Sequence, residues 1–578
     1  MVLEKYFNCD NLKLAWERML RWSDSTIKDH WGISVFEANL DDNLGRLSNK
    51  LINNQYEPIR PQKFYVPKSS GTQRTKTILM IEDAIVYQAI VNIIAYENYD
   101  KIEEFYLCVF GNVLNEEVKF GENLISNKSD LKSPPSYFFY KPYLNLYNEF
   151  SNFVNGVILD DEVNYKLETD ITGFFDSIPH FSLLEKLNKD YFVEEDILEL
   201  LSLLLNCWSG TKSNMTIGVG IPQGPGPSHF LANILLYDLD EYFMEKMNFD
   251  ETIYYCRYMD DIRIYSSDTR ELRDCLMYLD TYLKGFALSI NSSKTSIREI
   301  VDRKNDDSII DFHVDYKATD MEVSKFLKKL YEEHNLTSEF YFKENKSSSN
   351  LTENESAKEL KQVEGKENVI KFWKDEINDV EDILLNSFEN KDGSLSIPLT
   401  NVTSDRFFVN LSYRYRIAIR SIKEQDADIE EIDYSKTSNY WLFLIKEYPW
   451  RANYFCLVLN EFPSLPELKQ HLISLVEEFE AYEWITHHLF LTLSIKQVFT
   501  DDELKSLLYT FGHLTDYAKL GLYKLLIAKL ESDDVDELID VSIKKEPNAY
   551  LRKTLMRIYM DRKRGKLELE PMLNSFGL

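Results

Sequence analysis

The chain has 578 residues, 28% of them charged, and a formal net charge of −30; it is too long for one ordinary core and calls for roughly two to four domains. So acidic a surface excludes passive nucleic-acid binding over the whole molecule and leaves room only for a local basic groove. The six cysteines form no CxxC pair, which excludes a zinc ribbon or disulfide framework. No signal-peptide core and no run of about eighteen apolar residues is present, so a soluble, cytoplasmic protein without a membrane partner is expected.

In chain order, residues 58–78 come first as a chemically biased stretch. Arg60, Lys63, Lys68, Arg74 and Lys76 lie there with no acidic residue, which marks an anion site or a solvated charged loop. DAIVYQAIVNIIAY (83–96) has apolar residues at helical spacing and predicts a buried helix. YKLETDI (165–171) alternates as a half-buried strand does. Over 228–247 a helix is predicted, with Phe230, Ile234, Leu235, Leu239, Phe243 and Met247 on one face. IYYCRY, MDD and IRIYS then read as strand, tight turn and strand. Residues 341–366 are polar and predict an exposed, mobile insertion. Beyond about 437 the pattern is helical, either stacked hairpins of HEAT-like length or an irregular bundle. Near its end lies a basic cluster, Arg552, Arg557, Arg562, Lys563 and Arg564.

Asp260 and Asp261 sit side by side between two apolar strands. Adjacent ionised carboxylates repel and are costly to bury. A solvated hairpin turn is one explanation. The other is a divalent cation, since Mg²⁺ takes carboxylate oxygens and leaves positions for water and substrate phosphate. A two-metal site needs a third carboxylate, and Asp170 at the end of the predicted strand supplies it; Asp176 lies past the turn and is the weaker candidate.

YMDD at 258–261 resembles the active-site box of reverse transcriptases. IPQGPGPSHFLAN (221–233) resembles their PQG box, LSINSSKT (288–295) their lysine box and VPKSSGTQRTKTI (66–78) their fingers segment. These stand in the family's order, with the Asp170 box among them, and cover about residues 55–300. The resemblance implies metal ligation by Asp170, Ile171, Asp260 and Asp261, with two Mg²⁺ ions and Mn²⁺ as a substitute. One ion would activate the attacking hydroxyl and the other stabilise the departing pyrophosphate. It implies dNTP binding by Lys68, Arg74, Phe175, Gln223 and Gly224. Phe175, five residues past Asp170, would be the steric gate against a 2′-hydroxyl, with core packing as its other reading. Lys294 would protonate the pyrophosphate, or else is a strand-end lysine whose stem lies along the surface.

The expected fold is α+β: a right-hand polymerase fingers–palm domain followed by an all-α, HEAT-like helical C-terminal domain. The expected division is 1–165 N-terminal segment and fingers, 166–315 palm, 316–436 thumb-like or linker region, and 437–578 helical domain. The segment after Thr295 matches the family's primer-grip region poorly, and no nuclease cysteine–histidine pattern follows the palm. A palm with a long helical tail is similar to the phage-defence reverse transcriptases of the abortive-infection and unknown groups. That resemblance implies DNA synthesis on an RNA template or noncoding RNA, or untemplated synthesis from a protein hydroxyl with the DNA product covalently attached, by a homo-oligomer. The 36 tyrosines do not single out a priming residue. The alternatives are an RNA-directed RNA polymerase, a mobile-element enzyme of group II intron or retron type, or a non-catalytic nucleic-acid-binding scaffold.

Overall fold

The structure is a computed structural model that describes residues 2–22, 24, 27–120, 136–212, 214–249, 253–303, 355–390, 394–396, 405–423, 432–530 and 532–563. The chain divides into two compact units, one of 1–64, 75–311 and 536–568, the other of 65–74, 312–535 and 569–578.

In the first unit, helices Val2–Phe7, Cys9–Leu20, His30–Glu37 and Leu40–Ile52 come before a two-stranded sheet of β1 (Gln62–Pro67) and β2 (Gln73–Ile78). The tip of that hairpin, 65–74, groups with the second unit. Helix Ile81–Glu97 follows, and its residues Ile85, Val86, Ile90, Val91, Ile93 and Ile94 are all fully buried. A helix apolar on every side has no solvent face to offer, so it becomes the centre of a core. The few polar groups inside are matched to each other: Arg18 Nη1 donates to Asn92 Oδ1 at 2.7 Å, and Asn92 Nδ2 to Asn11 Oδ1 at 2.9 Å.

The second layer is a four-stranded antiparallel sheet of β3 (Tyr165–Asp170), β4 (Tyr254–Tyr258), β5 (Asp261–Ser266) and β6 (Ser296–Glu299), in the order β4-β5-β3-β6. Helices Gly226–Phe249 and Thr269–Gly285 pack on it. The first of these departs from the one-faced helix expected over 228–247. Leu231, Ala232, Leu236 and Tyr237 are buried as well as the expected stripe, so its N-terminal half is enclosed all round. The segment after Thr295, which matched no expected element, supplies the edge strand β6 beside β3.

Residues 536–568 belong to this first unit, whereas the sequence predicts one helical domain over 437–578. Helix Ala549–Lys563 packs on helix His30–Glu37. Asn548 Nδ2 donates to Gln62 Oε1 at 3.0 Å, and Arg557 pairs with Glu82. That pairing takes Arg557 out of the basic cluster as a free surface charge. Arg552 donates to the carbonyl of Glu546 at 3.1 Å. The side chains of Arg562 and Lys563, and all of Arg564, lie outside the described residues.

The second unit is built of helices from Glu355–Phe388 and Asp405–Lys423 through Asp516–Lys529. Gly521 lets two of them close up: a Cβ there would meet the His487 carbonyl oxygen at 2.9 Å. Glu461 gathers Arg416, Arg420 and Lys423. Of the insertion expected over 341–366, residues 341–354 lie outside the described residues and 355–366 are helical. Their Glu, Lys, Ala, Leu and Gln content is polar but strongly helix-forming, and composition alone does not separate the two cases. Among the described residues no helix is long and apolar enough to cross a membrane.

Candidate active site

Strand β3 runs antiparallel to β5, and the last residue pair of that ladder is Asp170 with Asp261. β4 and β5 are joined through Met259 and Asp260, with Tyr258 paired to Asp261. The register therefore brings Asp170 and Asp261 face to face at one end of the sheet, with Asp260 beside them in the turn. Period two along a strand makes this possible: one residue of slip would turn Asp261 to the other face.

The turn is held from beneath. Met259 has φ +57°, a left-handed backbone that a non-glycine residue adopts at a cost. Its carbonyl accepts from Arg257 Nη1 at 2.9 Å, and the same nitrogen donates to Asn233 Oδ1 at 2.9 Å. Arg257 Nε and Nη2 reach Asp240 at 2.9 and 2.5 Å, and Tyr255 Oη donates to Asp240 at 2.6 Å. Arg257 and Asp240 are both fully buried. Burial pulls the Arg257 guanidinium down, but the Asp240 carboxylate facing it more than offsets this, so it stays charged. Asn233 Nδ2 donates to the Gly111 carbonyl at 2.9 Å. Gly111 must be glycine, because a Cβ would lie 2.6 Å from the Met259 nitrogen.

Two cations accompany the carboxylates. Lys294 Nζ pairs with Asp170 Oδ2, on a loop tied to β3 by Thr169 Oγ1 and Thr295 Oγ1 at 2.7 Å and by Asn291 N–H on the Asp170 carbonyl at 2.8 Å. Arg263 reaches Asp261 at 3.3 Å and Glu168 at 3.6 Å. The sequence reading did not single out Arg263, although its spacing of two from Asp261 puts both on one face of β5. Burial lowers the Arg263 guanidinium, and Asp261, Tyr265 and Glu168 together outweigh that, for a net rise.

Whether this set suits two divalent cations can be tested on the residues themselves. Asp170 Oδ1 is buried and makes no hydrogen bond, an acceptor in need of a cation. Three carboxylates, two on paired strands and one in the turn beside them, are the hard oxygen donors Mg²⁺ prefers. Against this, no three acidic, His or Cys side chains among the described residues converge as a ready-made cage. Lys294 and Arg263 hold two of the three carboxylates, so ligation requires those ion pairs to open. Ile171 is 2% exposed and apolar, so only its carbonyl oxygen could contribute. Asp176 lies close enough to Lys63 to raise its pKa, while burial of Lys63, the larger effect, brings it down to about 8.

The PQG box forms the loop before helix Gly226–Phe249. Its backbone is held by Thr77 N–H on the Gln223 carbonyl at 3.0 Å, the Trp22 indole N–H on the Gly224 carbonyl at 2.9 Å and Tyr140 Oη on the Gly226 carbonyl at 2.8 Å. Gly224 has φ +127°, and a Cβ there would meet Ile27 at 2.9 Å. The group that closes on this glycine in the structure is thus Ile27. Phe175 is 7% exposed, with its ring 5.0 Å from His229 in an edge-on arrangement. The basic stretch 58–78 narrows. Lys76 pairs with Asp24 at 2.6 Å, Arg60 donates to the carbonyls of Thr211 and Lys212, and Lys63 is buried. Lys68 and Arg74 remain exposed on the β1–β2 hairpin.

Residues 148–327 match the family described as reverse transcriptase (RNA-dependent DNA polymerase); 304–327 of these lie outside the described residues. Protein YkfC of Escherichia coli strain K12 is 21% identical over 311 residues, covering 46% of this chain and 71% of that protein. Among solved structures, apo telomerase from Candida tropicalis truncated from its C-terminal domain is similar at 12% identity. That match covers 45% of this chain and 55% of that one, at a TM-score of 0.27. Telomerase from Candida albicans in complex with the TWJ fragment of telomeric RNA is similar at 13% identity, covering 75% and 67%, at a TM-score of 0.30. Likenesses this low add nothing to the reading of the site. The sequence match is what counts: the chain carries a reverse transcriptase domain, its fold is α+β fingers–palm with a large helical C-terminal region, and it is an enzyme of RNA-directed DNA polymerase type.

Proposed function

We propose that the chain extends a primer hydroxyl with dNTPs by two-metal nucleotidyl transfer, and does so in antiviral, anti-phage defence. The observation that carries the catalytic part is the register pairing of Asp170 with Asp261, beside Asp260 in the turn and with Asp170 Oδ1 lacking a partner. In this reading Asp170, Asp260, Asp261 and the Ile171 carbonyl hold two Mg²⁺ ions, and Mn²⁺ substitutes for them. The bound ions supply Lewis-acid activation of the attacking hydroxyl and neutralise charge at the departing pyrophosphate. Lys294 Nζ keeps a proton beside Asp170 Oδ2; released from that pair, it donates the proton to the leaving pyrophosphate oxygen. Lys68 and Arg74 bind the triphosphate, Arg through two donors at once and Lys as a point charge. Gln223 and Gly224 support the nascent pair, and Phe175 excludes the 2′-hydroxyl.

The defence role rests on architecture, a palm followed by a long helical region. With it go a cytoplasmic location, self-association, and synthesis on an RNA template or from a protein hydroxyl. Labelled dNTPs with Mg²⁺, given to the purified chain with and without a primed RNA template, separate these routes. Label in extended primer marks templated synthesis, whereas label that migrates with the denatured protein marks protein priming. No incorporation under either condition would sink the proposal.

A further inference from the structure

We infer that Trp22, acting through His229, is a positioning residue that sets the sugar selectivity of the nucleotide site; this rests on the reading of Phe175 as the steric gate. Trp22 follows helix Cys9–Leu20, well before the matched residues 148–327. Its indole ring lies 5.3 Å from the His229 ring, and the His229 ring lies 5.0 Å from Phe175. His229 is thus the ring that touches both Trp22 of the N-terminal segment and the gate.

Phe175 is constrained at both ends. Its carbonyl accepts from Ile221 N–H at 2.8 Å, which ties its backbone to the PQG loop. Its ring packs on His229, with Phe174 at 5.8 Å. The same loop is fixed by Trp22 through the Gly224 carbonyl. Gly226 stands against the indole, with a Cβ there only 3.2 Å from Trp22 Cε3, and Tyr140 lies at 5.5 Å on Trp22. Trp22 therefore bears on Phe175 along two routes, through the ring of His229 and through the loop that anchors the Phe175 backbone.

A steric gate excludes a 2′-hydroxyl only as far as the gate cannot retreat. A buried ring retreats when the space behind it opens. Removing the indole opens that space behind His229, and His229 and then Phe175 can follow. The deoxynucleotide already fits and gains little, whereas the ribonucleotide gains room.

The test uses the full-length chain and measures kcat/KM for a dNTP and for its matching NTP in the parent, Trp22→Ala, Trp22→Phe, His229→Leu, Phe175→Ala and the Trp22→Ala, Phe175→Ala double variant. Phe175→Ala is expected to collapse the dNTP preference. Trp22→Ala is expected to lower the preference about fivefold, the size of one lost aromatic pair, chiefly through a lower KM for the NTP. In the double variant, Trp22→Ala should change the ratio no further, because the two act through one ring. If Trp22→Ala fails to fold, Trp22→Phe and His229→Leu carry the same comparison. An unchanged ratio in folded Trp22 and His229 variants, with Phe175→Ala still collapsing it, overturns the inference and leaves the gate standing. An unchanged ratio in Phe175→Ala overturns the gate itself and the inference with it.

Discussion

Replacing Asp240 by Leu should destabilise the first unit severely and disable the chemistry several residues away. The substitution leaves Arg257 fully buried with no counter-charge, and breaking a buried pair in this way costs about 3–5 kcal/mol. Whole domains are stable by only about 5–15 kcal/mol, so this is a large share. Replacing both partners, Arg257→Met with Asp240→Leu, removes the stranded charge and should recover most of that loss. It does not restore the donor to the Met259 carbonyl, which leaves a deficit of about 1 kcal/mol and a turn free to leave φ +57°. The double variant should therefore be folded and stable but slow, with kcat lowered more than KM for dNTP. Amide-exchange protection of β4 and β5 reads the local stability without requiring the whole chain to unfold in one step. Single-turnover incorporation reads the chemistry. If Asp240→Leu protects these strands as well as the parent does, the pair has no role in stability. If the double variant incorporates dNTPs at the parental rate, the clamp on the turn has no role in catalysis.

Asp83 lies in the first buried turn of helix Ile81–Glu97, and burial pushes its carboxyl up from 3.8 to about 7, against the pull of the Tyr56 hydroxyl and the Ile59 N–H. Between those values the unfolded chain has lost its proton and the folded chain has not, so stability falls as pH rises and the penalty is complete above about 7. Asp83→Asn should be more stable than the parent at pH 8, by on the order of a few kcal/mol, and nearly equal to it at pH 4; equal stability at both values in urea titrations refutes the shift. Gly224→Ala forces a left-handed backbone and a clash with Ile27, so it should raise KM for dNTP at least several-fold; unchanged kinetics would show that the loop is not held as described. Arg557→Ala removes the partner of the half-buried Glu82 carboxylate and should cost about 1–3 kcal/mol while leaving the salt dependence of nucleic-acid binding unchanged. A shallower salt slope at unaltered stability would instead make Arg557 a phosphate contact.

What the sequence makes legible is local. β3 ending at Asp170, the strand–turn–strand around Asp260 and the enclosed helix of residues 83–96 all follow from periodicity and turn chemistry within a dozen residues. The supports of the site do not. Asp240 stands in DLDEY, where it looks like any exposed helical acid, and only the helix packing on β4 brings it onto Arg257. Trp22 and Ile27 lie some two hundred residues from the loop they brace, and no spacing rule connects them. Charge runs mislead for the same reason: Lys76 and Arg557 are spoken for by Asp24 and Glu82, partners visible only after folding.

The most direct test of the central claim is dNTP incorporation in Mg²⁺ by the parent chain and by Asp260→Asn, at matched folded concentration. The account predicts incorporation by the parent that chelation of the metal abolishes, and none by the variant, with amide exchange of β4 and β5 unchanged. Parental rates from Asp260→Asn would contradict it.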